Sequence, residues 1–430
     1  MMKHKQTDIQ TSKRRNMTFL AALTLTLLHI PANAQVAERL AELGMENIRT
    51  IRTAEGITVA YEDRAYRSSY QGVGKAIQTA LETMETDEAL TLTILDGNGL
   101  PQLNIGLDAN VVREYRNGTA GLKEVFARMT LSRNTDQALE RLKGTKTEAR
   151  SAWRPDLTIY PHIFLENSRF DKLYRYYIGL APALEMPLWK GGELTAQVIL
   201  PIVGNLKGEQ SQIRPGCVTI SQGFYLKKNW TLTLAAGQFT SHRLGATGEV
   251  NWKTDDGRWE AGAKAGVTIY SIFVDKEWTV TRKPKLNASV YGRTYIPQWN
   301  MEAEVEAARF VYGDYGAKAG LVRHFGEYTV GVFALYTDGE VNGGFNFAIP
   351  LPGRKYKRWN GVRIKPSDYL SYQYNMVAYG DYIDRKLGIT YNTEPGKNRS
   401  KGFYQPDYIR YFLIRHCDLF EDNGKQRNRQ

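Results

Sequence analysis

Glu302, Glu304 and Glu306 put three carboxylates at alternating positions, the densest chemical signal in this chain. On a strand, residues two apart share a face and lie ~6.5 to 7 Å apart, and a pair of carboxyls at about that spacing can hydrolyse a glycosidic bond. A second chemistry fits the same spacing. Carboxylates ~7 Å apart repel by about 2 kcal/mol at an effective dielectric near 20, so a wall carrying them calls for facing cations. Lys264, Arg293 and Lys318 lie on strand-like segments near them, and the six residues are read as the lining of a lumen rather than as a catalytic set. Other catalytic patterns are weak. After residue 34 the histidines are His162, His242, His324 and His416, too scattered for a metal cluster, so no metal and no cofactor is expected. Ser241 and His242 are adjacent and would face opposite ways on a strand, and Gly72-Val73-Gly74-Lys75 lacks the spacing of a phosphate loop. No enzymatic activity is expected.

The elements that must position these charges are strands with two unlike faces. Met301, Ala303, Val305 and Ala307 alternate with the glutamates; Tyr315, Ala317, Ala319 and Leu321 alternate with Gly316, Lys318 and Gly320. Trp259 to Ile269 gives the cleanest alternation, with apolar residues opposite Glu260, Gly262, Lys264, Gly266 and Thr268. Tyr328 and Tyr336 bound another apolar face. Eight residues at ~3.3 Å each and a tilt of about 40° span roughly 20 Å along a membrane normal, so Tyr328, Tyr336 and Trp259 are expected in aromatic girdles. A soluble β-sandwich with one solvated face also alternates. The segments between Leu157 and Tyr379 give about 12 strands, with 14 as the next count, since such barrels usually have an even number. The expected fold is mainly β: an antiparallel transmembrane outer-membrane β-barrel over residues 153–380, preceded by a small N-terminal α/β domain.

The rest of the chain fits an exported protein. Five Lys/Arg precede the apolar run from Met17 to Ile30, and Ala32-Asn33-Ala34 supplies small residues for cleavage, so residues 1–34 read as a signal peptide. That run is too short to span a bilayer as a helix, which needs ~20 residues. The net charge of +12 falls to +8 without residues 1–34. Such mild basicity does not call for nucleic acid; it suits lipopolysaccharide phosphates or acidic glycans, or a solvated surface. The 26 Tyr and 39 Gly suit membrane interfaces and crowded interior faces. Cys217 and Cys417 supply no disulfide framework. Residues 35–117 read as a small periplasmic domain containing a ββαββ unit, 118–152 as a helical linker and 381–430 as a basic tail.

Three stretches carry a resemblance. Tyr312-Gly313-Asp314-Tyr315-Gly316-Ala317, the strand Tyr328 to Thr337 with Asp338, and Gly343-Gly344-Phe345 leading to Ile349-Pro350-Leu351-Pro352 resemble the YjbH-like family of exopolysaccharide-associated outer-membrane proteins. Upstream, Gly237-Gln238-Phe239, Gly245-Ala246-Thr247-Gly248-Glu249-Val250 and Gly257-Arg258-Trp259-Glu260-Ala261-Gly262 are similar to that family in order. The resemblance covers roughly residues 155–352. It implies a barrel serving secretion of exopolysaccharide or capsule, with outer-membrane lipid, lipopolysaccharide, the extracellular polysaccharide and periplasmic export components as partners. It implies no catalytic residues. Other classes stay open at this point: a general diffusion porin, an outer-membrane glycan-modifying enzyme and a secreted glycan-binding β-sandwich.

Overall fold

A computed structural model describes residues 32–84, 87–169, 172–376, 382, 384–396 and 403–420. Most of the expected signal peptide, residues 1–31, lies outside the described residues. The chain then enters helix α1 (Ala32–Glu42), strands β1 (Glu46–Thr53) and β2 (Gly56–Glu62), α2 (Ser69–Thr83), β3 (Leu90–Leu95) and β4 (Pro101–Leu107). This is the ββαββ order read from the sequence. The apolar stripe of α2 explains its seat: Val73, Ile77, Ala80 and Leu81 are buried against Val59, Leu92 and Ile105 of the sheet.

Residues 118–152 do not behave as a linker. After α3 (Ala109–Arg116), α4 (Leu122–Arg128) buries Leu122, Val125 and Phe126, and β5 (Thr130–Ser132) pairs with β4 to complete a five-stranded sheet, followed by α5 (Asp136–Arg141). The expected basic tail is likewise built into this domain over residues 403–420. Helix α6 (Pro406–Arg415) buries Tyr408, Ile409, Phe412 and Leu413 in the same core, where Tyr70 meets Phe412 at 5.0 Å and Phe126 meets Phe420 at 5.6 Å between ring centroids. The reason is spacing: those four residues form one helical face, Pro406 starts the helix and the Gln405 side chain caps the Tyr408 amide.

The remaining strands among the described residues form one 15-stranded sheet. Thirteen run up and down in sequence: β6 (Asp156–Arg169), β7 (Lys172–Trp189), β8 (Gly192–Gly204), β9 (Arg214–Tyr225), β10 (Trp230–Phe239), β11 (Arg243–Lys253), β12 (Trp259–Val274), β14 (Lys285–Ile296), β15 (Met301–Arg309), β16 (Tyr315–Phe325), β17 (Tyr328–Thr337), β18 (Glu340–Pro350) and β20 (Tyr369–Met376). The short β13 (Glu277–Val280) pairs only with β12, and β19 (Arg363–Pro366) pairs with β6. The expected count of 12, with 14 next, is corrected here, while the antiparallel expectation holds for the large sheet except where β19 meets β6. An odd number of up-and-down strands leaves the first and last pointing the same way, so the β19–β6 contact is parallel.

The sheet is curled but not closed by a continuous ladder. Its path begins at β19 and ends at β20, yet only Ser367 and Asp368 separate these strands in the chain, so the two edges meet there. Among the described residues, no helix is long and apolar enough to cross a membrane.

A charged interior with an internal segment

Register places the expected charges in rows across the inner face. Lys253, Glu260, Arg293 and Glu304 are successive Cα partners on β11, β12, β14 and β15. Cross-strand neighbours of opposite charge attract, and the side chains follow. Lys253 Nζ lies 3.6 Å from Glu260, Arg293 Nη1 lies 3.4 Å from Glu260, and Arg293 Nε donates to Glu304. Glu302 takes a different partner, His324 Nε2 at 2.7 Å, and that imidazole stacks on Phe403 at 4.2 Å. Glu306 faces Lys318 in register. Lys318 lies 5.0 Å from the Phe333 ring and Lys264 lies 5.3 Å from the Tyr391 ring.

Lys264, Arg293, Glu304, Glu306 and Lys318 line one cavity of about 540 Å³, whose other walls come from Glu249 on β11 and from Asn375 on β20. Strands on opposite sides of the sheet therefore share an interior. Glu302 lines a smaller cavity toward the N-terminal domain. Tyr328, Tyr336 and Trp259 lie on the other face, 51%, 56% and 60% exposed, the two tyrosines at opposite ends of β17. Ser241 and His242 take different partners: Ser241 Oγ donates to the Thr390 carbonyl at 2.9 Å and His242 sits 3.3 Å from Glu209. Cys217 and Cys417 are both buried and are not joined in a disulfide.

The sequence reading missed what occupies this interior. Beyond β20 the chain folds back along the inner wall over residues 384–396. Gly388 N donates to Asp314 Oδ2 at 2.7 Å, Asn392 exchanges bonds with Thr240, Tyr391 donates to Asn287 at 3.0 Å, and Thr219 Oγ1 donates to the Thr393 carbonyl at 2.9 Å. Phe239 stacks on Tyr391 at 5.0 Å, and Leu387 joins Phe310 and Leu335. Gly266 makes room for it, because a Cβ there would collide with the Tyr391 hydroxyl.

One end of this interior is covered by the N-terminal domain. Arg67 pairs with Glu327 at 2.8 Å, Arg133 N donates to Asp255 O at 2.7 Å, and Tyr408 Oη donates to Gly326 O at 2.7 Å, all at strand turns on that end. The junction holds a buried ion network. Arg64, Arg358 and Arg363 are interleaved with Glu46, Glu62, Asp156 and Glu193, with Arg363 3.0 Å from both Glu46 and Asp156. Four carboxyls face three guanidiniums, and burial pushes the Glu62 carboxyl up to about 7 against the pull of Arg64, with Glu46 adding to the rise.

Comparison with known proteins gives one match. A family model described as exopolysaccharide biosynthesis protein YbjH matches residues 3–351. No curated protein and no solved structure matches the chain.

Proposed function

Because the chain belongs to the YjbH family of exopolysaccharide biosynthesis proteins, we propose that it is an outer-membrane β-barrel protein taking part in secretion of an exopolysaccharide or capsule. The observation that carries this reading is the inverted polarity of the curled sheet. Val267, Val290, Val305, Val330, Val332, Val341 and Tyr336 are all at least half exposed on its outer face, while charges and amides fill the interior. An exposed apolar surface of that extent marks a membrane or partner contact, and outward apolar residues alternating with inward polar ones are the pattern of a lipid-embedded barrel.

In this reading residues 1–34 direct export, the N-terminal domain lies in the periplasm against the short strand turns, and it docks components of the export apparatus. Lipid and lipopolysaccharide surround the outer face, and the polysaccharide is the cargo. The internal segment 384–396 favours a plugged barrel over a general diffusion porin. The lumen charges position and solvate; no bond-breaking role is assigned to them.

The test is fractionation together with secretion. The protein is expected in carbonate-washed outer membranes with heat-modifiable migration, and a strain lacking it is expected to lose exopolysaccharide from the medium. Recovery as a soluble periplasmic species, or undiminished secretion in the deletion strain, would sink the reading.

A further inference from the structure

The place where the sheet fails to close is written into the sequence. Arg363 N donates to the Pro155 carbonyl at 3.2 Å and Ser367 N to the Ile159 carbonyl at 2.9 Å, so residues 155 and 159 turn their backbone polar groups toward β19. Backbone direction alternates every residue along a strand, which puts residue 161 on the same side. Residue 161 is proline and has no N–H to donate. The β19–β6 ladder stops at Pro366 and Ile159, and beyond it the edges of β6 and β20 have no ladder partner among the described residues.

The two lips differ inside and outside. Continuing the register of Arg363 with Asp156 and of Pro366 with Ile159 sets Leu370 opposite Ile163 and Tyr372 opposite Leu165, both pairs on the outer face. Tyr160 and Tyr369 face inward and line a cavity of about 290 Å³, and Ser371 and Gln373 continue that polar inner row. Carboxylates outnumber cations around the cavity, with Glu185, Glu193 and Asp368 among them and only Arg64 and Lys365 opposing. A phosphate-bearing headgroup is disfavoured there, while sugar hydroxyls find acceptors and aromatic faces. Strand addition from a partner is disfavoured as well, because Pro161 removes a donor from the β6 edge.

We propose that the seam between β6 and β20 is a lateral portal that admits the uncharged saccharide headgroup of a glycolipid, with its acyl chains left against the outer row of Ile163, Leu165, Leu370 and Tyr372. The inference rests on the membrane reading above and names a substrate class for it.

The test uses the full chain reconstituted into phosphatidylcholine vesicles containing a minor fraction of diglucosyl diacylglycerol, with a photoreactive benzophenone side chain in place of Ser371. Irradiation is expected to label the glycolipid about tenfold above its share of the lipid, a preference of about 1.4 kcal/mol. Oxidation of an I163C/L370C pair is expected to abolish that labelling, and reductant to restore it. Pro161→Ala, which returns a donor to the edge, is expected to lower it several-fold without any cross-link. Labelling in proportion to lipid content, or labelling unchanged in both the oxidised pair and Pro161→Ala, overturns the portal. A chain that does not float with the vesicles overturns the membrane reading and the portal with it; one that floats but labels without preference overturns the portal alone.

Discussion

The N-terminal domain and the large sheet solve burial in opposite ways. In the domain, Val59, Ile77, Leu92, Phe126 and Leu413 are within 1% of full burial, and polar groups are mostly at its surface. In the sheet, the interior holds Lys264, Arg293, Glu304 and Glu306, and the apolar side chains point out. The apolar contacts inside the sheet are small satellites: Phe239 with Tyr391 and Leu335 with Leu387, both made with the internal segment, and Tyr177 with Ala181 and Ile199 on β7 and β8. One region is held by excluding water, the other by ladder hydrogen bonds and paired charges, and its outer face leaves large apolar side chains exposed. Substitutions matched across the two regions should therefore have different, sometimes opposite, effects.

The largest effect is expected where water is excluded. Leu92→Ala in β3 leaves a cavity in the domain core and should cost ~2 to 5 kcal/mol, read from denaturant unfolding followed by a probe in that domain. Val267→Arg, near the middle of β12 and 50% exposed, should cost ~2 to 4 kcal/mol for insertion into a bilayer. The same substitution should be close to neutral if that face meets water. A neutral Val267→Arg would therefore erase the contrast between the regions.

The junction between the regions gives a pH-dependent effect. The folded Glu62 carboxyl is raised to about 7, above its unfolded value, so the folded state favours the protonated form. Its contribution is fully present below about pH 4.5 and is lost as pH rises through about 7, by roughly 3 kcal/mol at 1.36 kcal/mol per unit. Glu62→Gln should flatten the stability profile in that window. An unchanged slope in the variant would show that the excess negative charge of the network resides elsewhere.

How much of this was legible varies with the range of the interaction. The alternation from Trp259 to Ile269 fixes both faces of β12 because a strand repeats every two residues, and it needs no knowledge of its partners. The pairing of Arg293 with Glu304 follows once neighbouring strands are recognised. Strand parity does not follow, because it depends on Arg363 meeting Asp156 about 200 positions earlier and on β13 standing outside the main path. Nor does the seat of α6: Tyr408, Ile409, Phe412 and Leu413 mark an apolar face in the sequence, but Tyr70, its partner ring, lies far away in the chain. The stretch 384–396 has no period at all; its placement depends on single bonds to turns such as Thr240 and Asp314. The family match ends at residue 351, short of β19, the stretch 384–396 and α6.

The comparison sharpens within the lumen itself. Arg293 is the bridge of the row, bonded to both Glu260 and Glu304. Arg293→Ala removes the cation that lies between Glu260 and Glu304 and should cost about 2 kcal/mol in detergent-solubilised protein. A double-mutant cycle with Glu304→Gln should recover part of that loss, because it removes one of the two negative charges that Arg293 bridges. Additive losses would mean that the row is a set of solvated neighbours rather than a coupled unit.

The smallest expected effect comes from Lys264, which faces the same cavity as Arg293 but holds no carboxylate in an ion pair among the described residues. Its register partner Glu249 accepts instead from the Tyr291 hydroxyl at 2.6 Å, and the ammonium lies over the Tyr391 ring of the internal segment. A half-exposed cation over a ring contributes about 0.5 kcal/mol, so Lys264→Ala should change thermal stability little. What it does change is the hold of the wall on the internal segment at Tyr391. Protease accessibility of residues 384–396 is therefore expected to rise in Lys264→Ala while the unfolding midpoint stays near that of the parent chain. If Lys264→Ala and Arg293→Ala lower the midpoint equally, the lumen charges act as one undifferentiated pool, and the distinction between a paired structural row and a cation serving the internal segment fails.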